Sequence, residues 1–115
     1  MNKLEYSALV KEKLINLKNW ITDNYDSDTS NDIISGMIAD ADRLKEYEKS
    51  GISISEVYSV DTDYWYLFTH QHYFIYRFEL GKVTIVQMFN EKEDFMMKLF
   101  GISGRTQESI DYWGE

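Results

Sequence analysis

Three runs of β-forming residues, separated by two short turns, constrain this chain more than any other feature. Apolar and aromatic residues in these runs predict strands at Tyr64–Thr69, His72–Glu79 and Lys82–Phe89. The dipeptides His70-Gln71 and Leu80-Gly81 leave room only for tight turns between the strands. Because strands joined by such short connections are antiparallel neighbours, this stretch predicts the centre of an antiparallel sheet.

Two amphipathic segments precede the strands and predict a helical hairpin. The first helix is expected over Ala8–Asn24, with Ser7 as its N-cap. The second is expected to follow the acidic segment Asp26–Asp32 and to stop before Gly51. A short connection places two such helices side by side in opposite directions, so the hairpin can cover one face of the sheet.

Shorter patterns predict the remaining elements. Lys3–Tyr6 predicts a first strand, Ile52–Val60 an irregular or bulged strand, and Glu91–Phe100 a closing helix. The predicted order is β-α-α-β-β-β-β-α, which belongs to the α+β class. The sheet face away from the hairpin is expected to be partly open and rich in aromatic side chains. Residues 1–101 form the predicted domain, and residues 102–115 form a polar C-terminal tail.

The charge balance argues against a nucleic-acid-binding surface. The 115 residues include twelve basic and twenty acidic side chains, which give a formal net charge of −8. From Asn19 to Asp42 there is no Lys or Arg, whereas six Asp occur. Phosphate backbones are bound by clustered cations, so direct nucleic-acid binding is disfavoured and a protein partner is the easier inference. The simplest alternative is that this charge only keeps the chain soluble.

Several missing features narrow the class of protein further. The chain has no cysteine, which excludes disulfides and thiolate metal sites. Its apolar runs are far shorter than the ~20 residues of a membrane-spanning helix. Met1–Glu5 is not followed by the apolar segment of a secretory signal. These features predict a soluble cytoplasmic protein with no membrane partner and no cofactor.

Two patterns resemble parts of metal sites, and neither is complete. Asp26, Asp28 and Ser30 have the spacing of the first ligands of a calcium loop, but the glycine and the bidentate glutamate that should follow are missing. His70 and His72 form a His-x-His pair without a third Cys or His ligand. The sequence therefore predicts no metal site.

Several short motifs follow one another in a distinctive order. Leu4-Glu5-Tyr6-Ser7 precedes the first helix, and an acidic loop joins the two helices. Tyr73–Phe78, a glycine turn and Val83–Val86 come next, followed by Asp94-Phe95 and Leu99-Phe100-Gly101. In this order and spacing, over about residues 2–101, the motifs resemble the RelE/ParE superfamily of toxins from type II toxin–antitoxin systems.

The resemblance implies a RelE/ParE-like fold and a toxin that an antitoxin, encoded next to it, binds and neutralises. Ribosome-dependent members of the superfamily are RNases that use Lys, Arg and sometimes His or Tyr on the concave sheet face. Such a site needs a base for the 2′-hydroxyl, an acid for the leaving oxygen and cations around the phosphate. Other members inhibit gyrase by binding alone, so ribosome and gyrase are the implied targets.

The sequence departs from the RNase pattern at the positions that matter for this chemistry. With Tyr76 and Asp94 aligned to the family, the family's catalytic positions fall on Tyr64, Tyr66, Tyr73, Glu93 and Leu99. A glutamate in place of a phosphate-clamping arginine reverses the local charge. We therefore expect gyrase-inhibitor-like binding before RNase chemistry. Whether the chain is an enzyme stays open, and a catalytically inactive protein-binding module on the same fold is a further alternative.

Four residues are the catalytic candidates of an unusual ribosome-dependent mRNA endoribonuclease. His70 and His72 would supply the acid and the base, with Arg77 and Lys92 as the nearby cations. Surface placement beside a turn is the simpler interpretation of the two histidines. For Arg77 the simpler interpretation is a cross-strand pair with an acidic residue on the solvent face.

Five residues are the partner-binding candidates. Tyr64, Tyr66 and Tyr73 belong to an aromatic cluster whose members pack in the core, anchor a protein partner or stack on bases, in that order of preference. Arg77 is suited to an antitoxin carboxylate. Asp94 keeps the family's acidic position, with a helix cap or an arginine partner as the alternative.

Overall fold

The computed structural model describes residues 1–101, and the predicted tail at residues 102–115 lies outside the described residues. Five strands are present: β1 (Lys3–Tyr6), β2 (Ile52–Ser53), β3 (Trp65–Thr69), β4 (His72–Glu79) and β5 (Lys82–Asn90). Four α-helices accompany them: α1 (Ala8–Asn24), α2 (Ser27–Asp42), α3 (Ile54–Tyr58) and α4 (Phe95–Phe100). A short 3-10 helix at Arg43–Lys45 extends α2.

The five strands form one sheet in the order β1-β5-β4-β3-β2. The pairs β2–β3, β3–β4 and β4–β5 are antiparallel, whereas β1 lies parallel to β5 with Lys3 opposite Lys82. The two tight turns are present, and Gln71 and Gly81 have φ values of 62° and 80°, in the left-handed region of such hairpins. The α+β fold predicted from the sequence is therefore confirmed.

The hairpin of α1 and α2 forms as the capping residues predict. The Ser7 hydroxyl accepts a hydrogen bond from the Val10 amide at 3.2 Å, and an Asp26 carboxylate oxygen accepts one from the Thr29 amide at 2.6 Å. Each bond satisfies an amide that the first turn of a helix leaves unpaired. The buried faces of the two helices, which include Met37, pack against one face of the sheet.

Two predicted elements differ in the structure. The prediction of a strand over Ile52–Val60 is wrong after Ser53, because the chain turns into α3 there. The adjacent residues Ser53 and Ile54 are both buried, which the strict alternation of a half-buried strand would not allow. The closing helix begins at Phe95 instead of Glu91, because residues 91–93 form a turn whose Glu93 amide donates to the Asn90 carbonyl at 2.9 Å.

The central strand β4 is buried on both faces. Phe74 and Tyr76 point into the core under the helical hairpin, whereas Ile75 belongs to a second core on the opposite face. The second core is closed by Ile54 of α3 and by Phe95 of α4. The face that the sequence predicts to be partly open is thus covered at one end by the two short helices.

Tyr76 ties the sheet to the segment that follows α2. Its side chain is fully buried, and its hydroxyl donates to the Glu48 carbonyl at 2.7 Å and accepts from the Gly51 amide at 3.2 Å. A Cβ at Gly51 would lie 2.4 Å from this hydroxyl and 2.5 Å from the backbone oxygen of Tyr66. Glycine is therefore required here by close approach. The buried hydroxyl of Tyr6, in contrast, has no hydrogen-bond partner among residues 1–101.

The two buried tyrosines predict opposite effects of the same substitution. Tyr76→Phe leaves a partly buried carbonyl and a partly buried amide without their partner, which costs about 1–3 kcal/mol of unfolding free energy. Tyr6→Phe removes an unpartnered hydroxyl, so the unfolding free energy stays unchanged or rises. Urea denaturation of the wild-type chain and both variants measures the difference. Equal losses in the two variants would contradict the hydrogen-bond assignment.

These tyrosines also predict a loss of stability at high pH. Burial raises the pKa of Tyr6 and of Tyr76 to about 12, from an ordinary value of 10.0. Because the unfolded chain releases these protons first, the stabilisation is complete below pH 10.0 and is lost as the pH rises through about 12. Urea midpoints should fall over this range, and less steeply in Tyr76→Phe. Tyr47→Phe, at an exposed site, is the control that should leave the slope unchanged.

Candidate functional site

A cavity of about 490 Å³ lies between the loop end of the helical hairpin and the turn from β3 to β4. We call it the hairpin cavity. Its apolar wall is formed by Leu17, Ile21 and Ile33, and its aromatic wall by Trp20 and Tyr25. The polar residues that line it are Thr29, His70, Gln71, His72 and Asn90. The structure therefore brings both sequence-predicted histidines to the same cavity.

The His70 ring is held by contacts on two sides. The residue has φ 48°, and its ring rests on α2 where a Cβ at Gly36 would lie 2.6 Å from Cε1. Its Nδ1 lies 2.8 Å from the hydroxyl of Thr69, which is 2.6 Å from Oδ2 of Asp40. Thr69 is only 3% exposed, so water does not compete freely for these bonds.

Proton counting along this chain of bonds fixes the tautomer of His70. An ionised Asp40 only accepts, so the single hydroxyl proton of Thr69 goes to the carboxylate. His70 Nδ1 must then donate to the Thr69 oxygen, which leaves Nε2 as the acceptor in the neutral ring. His72 is fixed in the same form, because its Nδ1 lies 2.8 Å from the His70 carbonyl oxygen, which only accepts.

A second cavity, of about 270 Å³, adjoins the first through the shared residues Leu17, His72 and Asn90. Lys13 lies in it and donates to Gln87 Oε1 and to the Met88 carbonyl, both at 2.8 Å. Burial lowers the pKa of Lys13, and the nearby Glu93 opposes that shift. Sequence reasoning missed this lysine, because its contacts depend on how α1 packs against β5.

Glu93 holds the turn after β5 in place. Its carboxylate forms an ion pair with Lys98 and accepts from the Asn90 amide at 2.9 Å. The hydrogen bond from Lys98 is the main reason that the pKa of Glu93 lies below its usual value. The carboxylate thus joins the turn after β5 to α4 and engages Lys98.

The three candidate tyrosines pack against α4 beside or within the second core. The ring centroids of Tyr66 and Tyr73 lie 5.6 Å and 4.9 Å from that of Phe95. Tyr64 lies 6.3 Å from Phe100. All three are half-buried, so packing is their first role and only part of each ring is open to a partner.

The remaining candidates do not line the hairpin cavity. Two of them are exposed cations, and the third caps α4. Arg77 is exposed on β4 opposite Thr84, five residues along the strand from His72, which places it ~16 Å away. It forms no ion pair with any described residue. Lys92 is exposed in the turn after β5. Asp94 caps α4 by accepting from the Met97 amide at 3.1 Å.

No protein-family model and no curated protein matches this sequence. A chain of the chromosomal ParDE TA system from P. aeruginosa does match the structure, with a TM-score of 0.65 and 9% sequence identity. The match covers 78% of this chain and 96% of that chain. The fold is of the RelE/ParE type. At 9% identity, this likeness is one of fold.

Within residues 1–101, no group of three or more His, Cys, Asp or Glu side chains is arranged to hold a metal ion. None of the helices in the same part of the chain is long and apolar enough to cross a membrane.

The structural role of Glu93 predicts that an arginine at this position weakens the domain. Glu93→Arg breaks the ion pair with Lys98, removes the acceptor for the Asn90 amide and places a cation near Lys13. Because the carboxylate is about one-third exposed, we expect a loss of about 1 kcal/mol in unfolding free energy. Glu91→Arg makes the same charge change at an exposed site and is the control for urea denaturation. Equal effects would contradict the structural role.

Proposed function

We propose that this chain is the cytoplasmic toxin of a type II toxin–antitoxin pair, with residues 1–101 as the toxin domain. An antitoxin encoded next to it binds and neutralises it. The RelE/ParE-type fold supports this proposal, together with the order of short motifs from Leu4 to Gly101. A solved structure with the same fold belongs to a ParDE TA system, and this description applies to that protein.

We further propose that the toxin acts by binding a protein target, as gyrase inhibitors do. The observation that carries this is the sparse positive charge on the described part of the sheet face away from the hairpin. Phe95 covers one end of that face, and Glu93 forms an ion pair with Lys98. Arg77 is the only Lys or Arg residue of β4. A transition state with charge on its phosphoryl oxygens would find little stabilisation there.

Arg77 is the partner contact that the geometry supports best among the candidates. Its guanidinium is exposed and free of ion pairs in the described chain, so two of its nitrogens can donate hydrogen bonds to one carboxylate. Tyr66 and Tyr73 lie further along the same sheet face and offer the exposed parts of their rings. An antitoxin segment laid across this face would contact all three. Asp94 contributes indirectly, because it fixes the start of α4.

Expression of the chain alone tests the toxin proposal. We expect induction to slow growth, and co-expression of the small open reading frame next to its gene to restore growth. The two products should copurify. Normal growth at high levels of folded protein would refute an active toxin and would favour the alternative of an inactive protein-binding module.

Substitution of Arg77 tests the proposed antitoxin contact. Arg77→Ala should weaken copurification with the antitoxin by about tenfold or more in dissociation constant, because a charge-assisted bidentate contact is lost. Lys18→Ala removes an exposed cation from α1 and is the matched control. Equal affinities of the two variants would remove Arg77 from the interface.

A ribosome-dependent mRNA endoribonuclease remains the second candidate, because both histidines line one cavity with defined tautomers. Cleavage of ribosome-bound mRNA and supercoiling by gyrase separate the two mechanisms. We expect inhibition of supercoiling without cleavage, unchanged in His70→Ala and His72→Ala. Cleavage that both variants abolish would establish the RNase instead. Cleavage that neither variant affects would remove the histidines from the chemistry.

A further inference from the structure

The hairpin cavity has walls of two kinds and no charged lining residue. One wall is apolar and aromatic, and the other consists of hydroxyl, amide and imidazole groups. Its lining contains no Lys, Arg, Asp or Glu. An ion that entered would lose its hydration without gaining an opposite charge, so the cavity suits an uncharged occupant. Its volume of about 490 Å³ is in the range of small-molecule sites.

The aromatic wall is built from two residues that the protein core does not need. Trp20 and Tyr25 are 56% and 68% exposed, although the sequence places them next to the apolar stripe of α1. Their ring centroids lie 6.2 Å apart at an interplanar angle of 65°. They support each other edge to face and offer ring surface at the cavity, which favours a planar occupant.

The polar wall presents hydrogen-bond acceptors in a fixed form. The protons of both imidazoles are held on Nδ1, so Nε2 of His70 and of His72 carries a free lone pair in the neutral rings. Neither Nε2 takes part in a hydrogen bond within residues 1–101, and that of His70 lies beside α2, 2.8 Å from where a Cβ at Gly36 would be. Gln71 and Asn90 add amide groups, which both donate and accept. The wall therefore favours an occupant with N–H donors and neighbouring acceptors on one edge.

We propose that the hairpin cavity binds an uncharged planar nitrogen heterocycle of the nucleobase type, which stacks on the aromatic wall and donates a hydrogen bond to an imidazole Nε2. Such a base reaches the cavity either as a free nucleoside or as an unstacked base of an RNA strand. The net charge of −8 favours the free nucleoside. This inference does not rest on the proposed toxin function, because its contacts lie away from the sheet face that carries Arg77.

Asp40, Thr69 and Gly36 act as positioning residues for this site. Asp40 sets the direction of the Thr69 hydroxyl proton, and that hydroxyl sets the tautomer of His70. Gly36 leaves the space against α2 that the imidazole ring occupies. None of the three lines the cavity itself. Their substitution should therefore change affinity through His70 alone.

Ligand titration tests the heterocycle and its donor. Adenosine and cytidine are titrated into the full chain and followed by tryptophan fluorescence and by ¹H–¹⁵N NMR. We expect at least one of them to bind at submillimolar concentration. Its dimethylamino analogue, N6,N6-dimethyladenosine or N4,N4-dimethylcytidine, keeps the ring but lacks the donor, and should bind about tenfold more weakly. No binding of either nucleoside, or equal binding of nucleoside and analogue, overturns the proposal.

Two further ligands in the same titration show whether the base belongs to a free nucleoside or to an RNA strand. The nucleoside monophosphate and a short single-stranded RNA of the same base are compared with the nucleoside. Equal or weaker binding of both identifies the free nucleoside as the source. Tighter binding of the RNA, still lost with the dimethylated base, identifies the strand.

Variants locate the site on the structure. Trp20→Ala should weaken nucleoside binding by about fivefold to a hundredfold, which corresponds to the loss of one stacking surface. Ile15→Ala truncates another exposed apolar residue of α1 that does not line the cavity, and it should leave the affinity unchanged. Equal affinities of the two variants would place any binding elsewhere and overturn the assignment.

The tautomer of His70 provides a readout that needs no ligand. Long-range ¹H–¹⁵N spectra of the neutral ring should show the proton on Nδ1 in the wild-type chain and in Thr69→Ser, which keeps the hydroxyl. Thr69→Val should give a mixture of the two tautomers and weaker nucleoside binding. A proton on Nε2 of wild-type His70 would overturn the assignment of His70 as an acceptor and of Asp40 and Thr69 as its positioning residues.

Discussion

Burial of β4 on both faces is the constraint on which the rest of this structure depends. Phe74, Ile75 and Tyr76 follow one another along the strand and are all fully buried. Because successive side chains point to opposite faces, one layer of helices cannot cover all three. The hairpin of α1 and α2 covers Phe74 and Tyr76, and the second core exists because Ile75 needs a cover of its own. The short helices α3 and α4 provide it.

The cover formed by α3 and α4 also changes which part of the sheet face is open to a ligand. The aromatic residues of α4 occupy part of the sheet face away from the hairpin. Glu93 and Lys98 neutralise each other at the start of that helix. The polar groups with free lone pairs lie instead at the loop end of the hairpin, around His70 and His72. The same fold thus separates the surface suited to a protein partner from the cavity suited to a small ligand.

The sequence predicted the parts of the structure that local interactions determine. The two tight turns fixed the antiparallel strands, and Ser7 marked the start of α1, because caps and turns involve residues a few positions apart. The two bonds of the Tyr76 hydroxyl reach 28 and 25 residues along the chain, to Glu48 and Gly51, and no local pattern encodes them. The site was predictable only in part for the same reason. The spacing of His70 and His72 marked them as candidates. The hydrogen bonds that connect His70 through its neighbour Thr69 to Asp40 depend on how α2 packs against β3.

The parallel pairing of β1 with β5 has a consequence for how the molecule assembles. The Ser7 hydroxyl donates to the Val86 carbonyl across 79 residues of chain, and the strand pairs beside it have the same separation. Closing so long a loop is an entropic cost that the α1–α2 hairpin and the β3–β4 turn do not carry. During synthesis, the first strand therefore waits without a neighbour until β5 has left the ribosome. A chain interrupted after β4 has an unpaired edge at β4 and lacks most of the residues that cover Ile75. The sheet is therefore complete only after β5 has been added.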